Sequence, residues 1–476
     1  MGITIKGDKG FDDQPSLKSK ALRINMNENI YGTFAEIGAG QETVRHFFRA
    51  GGASGTIAKT MSAYDKDFSD AIYGIENDNR YVTEDRLHRM LTYEMDLIEK
   101  RITRDKHPNK LFFTYANTVT TIDFAKKYKG HGWVGIRYQI DPKQDYNEIA
   151  LHFRFKENDA RLQQETLGVL GTNLIHAAFY SYKKPKKILK YLYDHLHKDQ
   201  LEIDTINFKG PVFEEVDNRL MSLQLVKNGM TDAVMFGKDG TNVLPASVLY
   251  KKNILALRGS FRPVTNVNMD MFRKSYDMFL KEESVDEKNT IVVFEITLSN
   301  LLVDGDIDEQ DFMDRARLLC SLGQTAMISN FKEYYKLVEY FSLYTDERTG
   351  IAMGVNNLVD VFDEKYYRHL SGGILEAFGK LFFKNLQVYL YPLRKMDGSI
   401  SNSENLKVHP RMKELYKFFK YNGKVVDITD YDPELLSIFS RKVLKMISHA
   451  EDGWEVMLPE GIAELIKQQC LFGYKS

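Results

Sequence analysis

The order of predicted helices and strands repeats itself after about 150 residues, and this repeat constrains the fold more than any other feature. The first copy contains LGTNLI (170–175), a helix (186–196), a strand (201–208), FEEVDNR (213–219), a helix (220–228) and a strand (232–237). The second contains LGQTAMI (322–328), a helix (333–344), a strand (350–358), FDEKYYR (362–368), a helix (373–383) and a strand (386–392). The acidic runs FEEVDNR and FDEKYYR could bind a cation or pair with Arg219 and Arg368, but their recurrence favours a structural role such as capping the following helix.

The repeat extends upstream, where a helix at 83–102 and a strand at 111–119 correspond to a helix at 267–282 and a strand at 290–298. The sequence therefore predicts a mixed α/β fold, with two related α/β halves from an internal duplication and a small C-terminal helical region. The predicted division is an N-terminal arm and Gly-rich helical segment (1–82), a first half (83–265), a second half (266–400) and the helical region (401–476).

Two strongly alternating segments, WVGIRYQI (133–140) and EIALHFRF (148–155), flank a turn-rich stretch and predict a β-hairpin. One face of the hairpin is apolar, and the other has Arg137, His152 and Arg154 among its residues. Such alternation is typical of an antiparallel sheet with one solvated face. The alternative is a cationic patch, if Arg137 and His152 are neighbours across the two strands.

The segment HFFRAGGASGTIAKT (46–60) concentrates glycines beside cationic residues. We expect helices at 41–50 and 54–64, with Lys59 on the second. Glycine next to a helix start lets main-chain amides approach an anion, which favours a phosphate site. The P-loop pattern is not met, because Ala58 precedes Lys59 and Thr60. The alternative is that the glycines allow two helices, or two subunits, to approach closely.

A second loop, RGSFRPVTNVN (258–268), places two arginines around a Gly-Ser pair, with Pro263 fixing the turn. Two arginines on a short loop suit a phosphate or a carboxylate. The alternative is a surface loop with solvated arginines. Across both segments, the candidate phosphate-binding residues are Arg45, Arg49, Gly51, Gly52, Gly55, Lys59, Arg258 and Arg262.

Charge and cysteine content narrow the function classes. The formal net charge is −1, which argues against a nonspecific nucleic-acid binder and against a membrane-surface protein. Two cysteines cannot build a disulfide framework or a thiolate metal site, and they fit a reducing cytoplasm. We expect no signal peptide, no transmembrane helix and no resident metal site. The 27 tyrosines and 29 phenylalanines suit broad packed surfaces, so we expect a homo-oligomer.

Three segments resemble a family of bacterial cytoplasmic proteins whose members are labelled nicotinate-nucleotide adenylyltransferase or TonB-dependent receptor. The segments are NMNENIYGTFAEIGAGQETVRHFFRAGGASGTIAKTMSAYDKDFSDAIYG, NRLMSLQLVKNGMTDAVMFG and LYKKNILALRGSFRPVTNVNMDM. The resemblance implies a bacterial, cytoplasmic protein. The sequence speaks against both labels, because it has no His-x-Gly-His tetrad and neither a signal peptide nor many lipid-facing strands.

Two functional hypotheses follow, and the sequence does not decide whether the protein is an enzyme. The first is a self-associating assembly or scaffold protein. The second is an enzyme or binding protein for a phosphorylated small molecule or a nucleotide. In that case Asp65 or Asp67 would accept a proton or hold Mg²⁺ bound with the nucleotide, the one cofactor that the residues suggest.

Overall fold

The computed structural model describes residues 14–76, 80–303, 306–382 and 385–475. Most of the predicted N-terminal arm lies outside these residues. The chain forms two compact units, which we call unit 1 (Met1–Thr231) and unit 2 (Asp232–Ser476). The fold is mixed α/β, and each unit contains its own large sheet, which is consistent with an internal duplication. The four-part division stays a prediction. Within the described ranges, no helix is both long and apolar enough to cross a membrane.

Unit 1 is built on a mixed six-stranded sheet in the order β2-β1-β3-β4-β5-β6. Its strands are β1 (Ile30–Gly38), β2 (Ile57–Ala63), β3 (Leu111–Thr120), β4 (His131–Tyr138), β5 (Asn147–Phe155) and β6 (Leu201–Lys209). Its helices are α1 (Leu17–Asn25), α2 (Glu42–Ala50), α3 (Lys66–Tyr73), α4 (Glu84–Arg101), α5 (Ala160–Ser181), α6 (Pro185–Leu192) and α7 (Asn218–Lys227). β1 is parallel to β2 and β3, and the sheet continues antiparallel through β6.

The predicted helix at 83–102, the strand at 111–119 and the hairpin are confirmed as α4, β3 and the β4–β5 pair. The Thr83 side chain accepts a hydrogen bond from the amide of Arg86 and so caps α4. The predicted helix at 54–64 is wrong, because residues 57–63 form β2 at the edge of the sheet. Ala58 and Lys59 favour helix intrinsically, but pairing with β1 decides the conformation.

Unit 2 contains an eight-stranded sheet in the order β18-β15-β14-β9-β10-β13-β7-β8. The strands of unit 2 are β7 (Ala233–Phe236), β8 (Asn242–Val243), β9 (Asn253–Arg258), β10 (Thr290–Thr297), β11 (Leu302–Val303), β12 (Asp306–Ile307), β13 (Thr325–Ser329), β14 (Thr349–Gly354), β15 (Leu386–Tyr391), β16 (Leu393–Arg394), β17 (Ile400–Ser401) and β18 (Val425–Asp427). The helices are α8 (Pro245–Leu249), α9 (Asn266–Phe279), α10 (Glu309–Ser321), α11 (Tyr334–Phe341), α12 (Val355–Val361), α13 (Gly373–Leu381), α14 (Lys413–Tyr421), α15 (Ser440–Ser448) and α16 (Ile462–Gln469).

The strands of this sheet from β9 to β18 are parallel, and helices connect them. Successive strands run from β9 through β10 to β13 on one side, and then from β14 through β15 to β18 on the other. β9 and β14 are neighbours in the sheet, and the strands that follow each of them are added on opposite sides. The order of the strands therefore reverses between β9 and β14, which makes this position a topological switch point. In open α/β sheets, ligands bind outside the carboxyl ends of the strands at such a switch point.

The predicted cap is confirmed for FEEVDNR, whereas FDEKYYR caps a 3-10 helix within its own residues and not the following helix, Gly373–Leu381. Asp217 accepts a hydrogen bond from the amide of Arg219 and begins α7, and Asp363 accepts one from Lys365 and begins a 3-10 helix. One proposed equivalence fails at the level of local structure. Residues 170–175 lie within α5, whereas residues 325–329 form β13.

Candidate functional site

A cavity of about 570 Å³ lies at the carboxyl ends of the parallel strands of unit 2. Its lining residues are Arg258, Gly259, Ser260, Thr297, Ser299, Asn300, Lys332, Glu333, Tyr334, Asn357, Asp360, Val361, Tyr366, Tyr367 and Arg441. The segments that follow β9, β10, β13 and β14 supply most of this lining. The cavity is therefore at the switch point of the sheet, and its volume is typical of a small-molecule site.

Arg258, the last residue of β9, forms one wall and is held rigidly. Its Nε and Nη2 donate to the two carboxylate oxygens of Glu295 at 2.7 and 2.8 Å, and Glu295 is fully buried. Nη1 donates to the carbonyl of Lys332 at 3.3 Å, and the guanidinium lies 4.4 Å from the ring centre of Tyr334. Burial alone would lower the pKa of Arg258, but the Glu295 carboxylate outweighs it and keeps that pKa above its usual value.

Two other cations reach the cavity without such partners. Lys332 follows β13, and Arg441 lies in the first turn of α15. Both side chains are exposed, and neither makes an ion pair with a residue in the described part of the chain. They are therefore the positive charges at the cavity that an anionic ligand can engage.

Two acidic residues also line the cavity, Asp360 and Glu333, and Glu333 pairs with Lys336 at 2.9 Å. Neutral hydrogen-bonding groups form much of the remaining lining, and several are already oriented by protein contacts. The Thr297 and Ser299 hydroxyls lie 2.7 Å apart, and the Asn357 amide donates to the Tyr334 hydroxyl at 3.0 Å. Tyr366 presents an exposed ring at the rim. The lining combines cations, carboxylates, oriented polar groups and aromatic surface, which suits a small polar molecule.

The two arginines of the loop at 258–268 have different surroundings, and neither is simply solvated. Arg258 lines the cavity, whereas Arg262 is not among the residues that line it. Nε of Arg262 lies 2.5 Å from Asp311, which also contacts Arg315. Sequence reasoning identified Arg258 and missed Lys332, which follows β13, and Arg441, which is on α15; the fold brings all three to one cavity.

The candidate residues on α2 and in the following loop lie in unit 1. Arg45 pairs with Glu42 at 2.8 Å, and Arg49 is exposed in the last turn of α2. Gly51 and Gly52 adopt φ values of +87° and +72°. A Cβ at Gly51 or Gly55 would have open space around it, whereas one at Gly52 would lie 3.0 Å from the sulfur of Met26 at the end of α1. The close approach of a helix that the sequence offered as the alternative is therefore found at Gly52 and not at Gly51 or Gly55.

Lys59 is not on the same face of the sheet as α2. It pairs in register with Thr33, whereas the adjacent Phe34 packs against Phe47 of α2. Because neighbouring residues of a strand point to opposite faces, Lys59 points away from the arginines of α2. Its ammonium lies 2.5 Å from the buried carboxylate of Glu94 on α4.

Asp65 and Asp67 lie at the start of α3. The Asp65 side chain accepts a hydrogen bond from the amide of Phe68 and caps the helix, and Asp67 is exposed in the first turn. Within the described ranges, no group of three or more His, Cys, Asp or Glu side chains could hold a metal ion. A cap accounts for Asp65 without a ligand.

The polar face of the β4–β5 hairpin is buried, so the expected solvated face is wrong. His152 and Glu148 are 1% and 5% exposed. Arg137 is opposite Glu148 and His152 is opposite Trp133, so the alternative, in which Arg137 and His152 are neighbours across the strands, is not found either. His152 Nδ1 lies 2.7 Å from Asp204, and burial with the neighbouring His152 lowers the pKa of His131 to about 4.

A buried carboxyl group lies near the carboxyl end of β1. Glu36 is fully buried, its Oε2 accepts a hydrogen bond from Ser62 at 2.9 Å, and its Oε1 has no hydrogen-bond partner among the described residues. Burial raises the pKa of Glu36 to about 7, although the Ser62 hydrogen bond opposes the shift. Sequence reasoning did not single out this residue.

Comparisons with known proteins give only partial likenesses. No family model matches the chain, and no curated protein matches it. A competence or damage-inducible protein from Enterobacter asburiae is 13% identical, with a TM-score of 0.26, and the match covers 34% of this chain and 96% of that one. The competence/damage inducible protein CihA from Agrobacterium tumefaciens is 15% identical, with a TM-score of 0.25, and the match covers 33% of this chain and 93% of that one.

A competence-damaged protein (CinA) superfamily protein from Escherichia coli is 11% identical, with a TM-score of 0.26, and the match covers 37% of this chain and 98% of that one. Likenesses this partial assign no function to the chain. Neither label carried by the resemblance in sequence gains support from these comparisons.

Proposed function

We propose that the protein binds a small anionic molecule, phosphorylated or carboxylated, in the cavity at the carboxyl ends of β9, β10, β13 and β14. The observation that supports this most directly is the position of the cavity at the switch point of a parallel sheet. Lys332 and Arg441 would hold the anionic group. Arg258, neutralised by its ion pair with Glu295, would keep the wall of the cavity in place.

The remaining lining would orient the rest of the molecule. Hydroxyl and amide groups of Ser260, Ser299 and Asn300 can bond to polar substituents, and Tyr366 offers a ring at the rim. We do not propose a reaction, since none of these residues forms a recognised nucleophile–base pair. A binding protein and an enzyme both remain compatible with this site.

A double substitution tests the site. We expect Lys332→Ala with Arg441→Ala to weaken ligand binding about a hundredfold or more, because hydrogen bonds to charged groups contribute about 1.5–3 kcal/mol each. The measurement is a thermal-shift screen of the full chain against phosphorylated and carboxylated metabolites, followed by calorimetric titration of the compounds that bind.

Lys442→Ala is the matched control, because Lys442 is exposed on the same helix and does not line the cavity. Native mass spectrometry of protein purified from its host would report the mass of any molecule that stays bound. Equal affinity in the double variant and in the control would refute the assignment of Lys332 and Arg441.

We propose self-association as a second function, supported by exposed apolar side chains around α3. Tyr64, Phe68 and Ile75 are 81%, 61% and 71% exposed, and the neighbouring β2 is an edge strand. Exposed edges and clustered apolar side chains favour pairing with another chain. We expect a dimer or larger species at micromolar concentration by sedimentation velocity, and Phe68→Asp should shift it toward monomer. A monomeric wild-type protein would contradict this proposal.

A further inference from the structure

A second cavity, of about 440 Å³, lies in unit 1 where α5 ends and α6 begins, and we call it the lysine–tyrosine cleft. Its lining residues are Phe179, Tyr180, Ser181, Tyr182, Lys183, Lys184, Lys187 and Tyr191. None of these residues is acidic. The cleft is formed entirely within unit 1, so it is independent of the cavity described above.

Positive charge is concentrated here although the whole chain is nearly neutral. Lysines occupy positions 183, 184, 186, 187 and 190, and no Asp or Glu occurs between Thr166 and Tyr193. All five lysines are exposed. A local field of this kind attracts anions even when the net charge of the protein is −1, because salt screens charges beyond roughly 8 Å.

Helix α6 holds two of these lysines in a fixed arrangement. Lys184, Lys187 and Tyr191 are spaced by three and four residues, so they share one face of α6 and the turn before it. The opposite face is anchored, because Ile188, Leu189 and Leu192 are fully buried. α6 begins at Pro185 without a side-chain cap, so the partial positive charge of its N-terminus adds to that of the lysines.

Aromatic rings form the rest of the cleft, and they differ in how much of the ring is exposed to a ligand. The ring of Tyr180 is already covered, with the Arg23 guanidinium 3.8 Å from its centre and the His176 ring 5.0 Å away. Tyr191 is 37% exposed, and Tyr182 is partly exposed with the Lys183 ammonium 5.8 Å from its ring. Tyr191 and Tyr182 therefore retain ring surface that a planar ligand can contact.

We propose that the lysine–tyrosine cleft binds a nucleoside phosphate, with Lys183, Lys184 and Lys187 contacting phosphate and Tyr191 stacking on the base. Ammonium groups next to exposed aromatic rings are the combination with which proteins hold nucleotides and single strands. A simple carboxylate would leave the rings unused, and so would inorganic phosphate. The nucleoside phosphate comes either from a free nucleotide or from a single-stranded nucleic acid, since both have the same charged and planar groups.

The test is fluorescence anisotropy of the full chain with two probes, a labelled twelve-residue oligothymidylate and a fluorescent ATP analogue. We expect the triple variant Lys183→Gln, Lys184→Gln and Lys187→Gln to weaken binding at least tenfold and to flatten its salt dependence, because each lost phosphate contact lowers the slope. Tight binding of both probes identifies a free nucleotide as sufficient, and binding of the oligonucleotide alone identifies a nucleic acid strand as the source.

Three Lys→Gln substitutions outside the cleft provide the control. Lys126, Lys127 and Lys129 are exposed, and their loop lies near the start of α5, where Gln163 accepts a hydrogen bond from the amide of Ile122. The cleft lies at the other end of this 22-residue helix, about 30 Å away. We expect Lys126→Gln, Lys127→Gln and Lys129→Gln to leave binding unchanged.

Substitutions at Tyr191 distinguish stacking on the base from electrostatic attraction of the phosphate. We expect Tyr191→Ala to weaken binding about tenfold and Tyr191→Phe to preserve it, because the ring rather than the hydroxyl contacts the base. Circular dichroism of each variant confirms folding. The proposal is overturned if neither probe binds the wild-type chain, if both lysine triple variants bind equally, or if Tyr191→Ala binds like wild type.

Discussion

Replacing Glu295 with alanine is expected to destabilise unit 2 by about 3–5 kcal/mol, because it leaves the buried guanidinium of Arg258 without a counter-charge. Glu295 is fully buried, and it also accepts a hydrogen bond from the Ser329 hydroxyl at 2.5 Å. The chain has two tryptophans, and each unit contains one, Trp133 in unit 1 and Trp454 in unit 2. Urea unfolding followed by the fluorescence of Trp454, in a Trp133→Phe background, measures the loss.

Two controls show whether the effect comes from the unpaired charge. The double variant Arg258→Met with Glu295→Leu removes both charges, and it should be more stable than Glu295→Ala alone. Glu414→Ala breaks a surface pair with Lys417 whose side chains are 79% and 57% exposed, so it should change stability far less than Glu295→Ala. A Glu295→Ala protein within 1 kcal/mol of wild type would contradict the role of this pair.

Replacing Glu36 with glutamine is expected to stabilise unit 1 above pH 7 by up to about 3 kcal/mol, because each pKa unit corresponds to 1.36 kcal/mol. Burial raises the pKa of Glu36 from 4.5 to about 7. Between these values the folded chain keeps a proton that the unfolded chain has released. Stability contributed by this group therefore falls as pH rises from about 4.5 to 7, and it is constant above pH 7.

Glutamine has nearly the same shape and does not titrate, so the variant should lose this part of the pH dependence. Urea unfolding between pH 4.5 and 8, followed by Trp133 in a Trp454→Phe background, measures the difference from wild type. Glu28→Gln changes an exposed carboxyl group of unit 1 and should keep the wild-type profile. If Glu36→Gln and wild type have parallel profiles, Glu36 does not have the raised pKa.

The local pattern of apolar and polar residues was sufficient to predict those helices and strands that show a clear helical or alternating periodicity. Helix α4 has apolar residues at helical spacing behind a Thr83 cap, and the β4–β5 hairpin alternates around a turn. β2 was missed because its strand conformation depends on pairing with β1, about 25 residues earlier. The polar face of the hairpin was misjudged because α4 covers part of it, where His88 contacts Glu148 at 2.5 Å.

In the candidate sites too, single residues could be identified from the sequence, but their partners in the fold could not. Arg258 was identifiable as an arginine next to Gly259 and Ser260, but nothing nearby in the sequence indicates Glu295 as its partner. Lys183, Lys184 and Lys187 are visible as a basic run, but a net charge near zero gave no reason to single them out. The cleft that they line exists only because α6 follows directly on the end of α5.

The sequence by itself determined the mixed α/β class, several of the longer helices and strands, and the caps at Thr83 and Asp217, because these depend on residues within one or two turns of each other. Tertiary structure alone decided the order of the strands, the faces on which Lys59 and α2 lie, and the meeting of Arg258, Lys332 and Arg441 at one cavity. Sheet order and burial depend on contacts between residues far apart in the chain. Such contacts leave no local periodicity in the sequence.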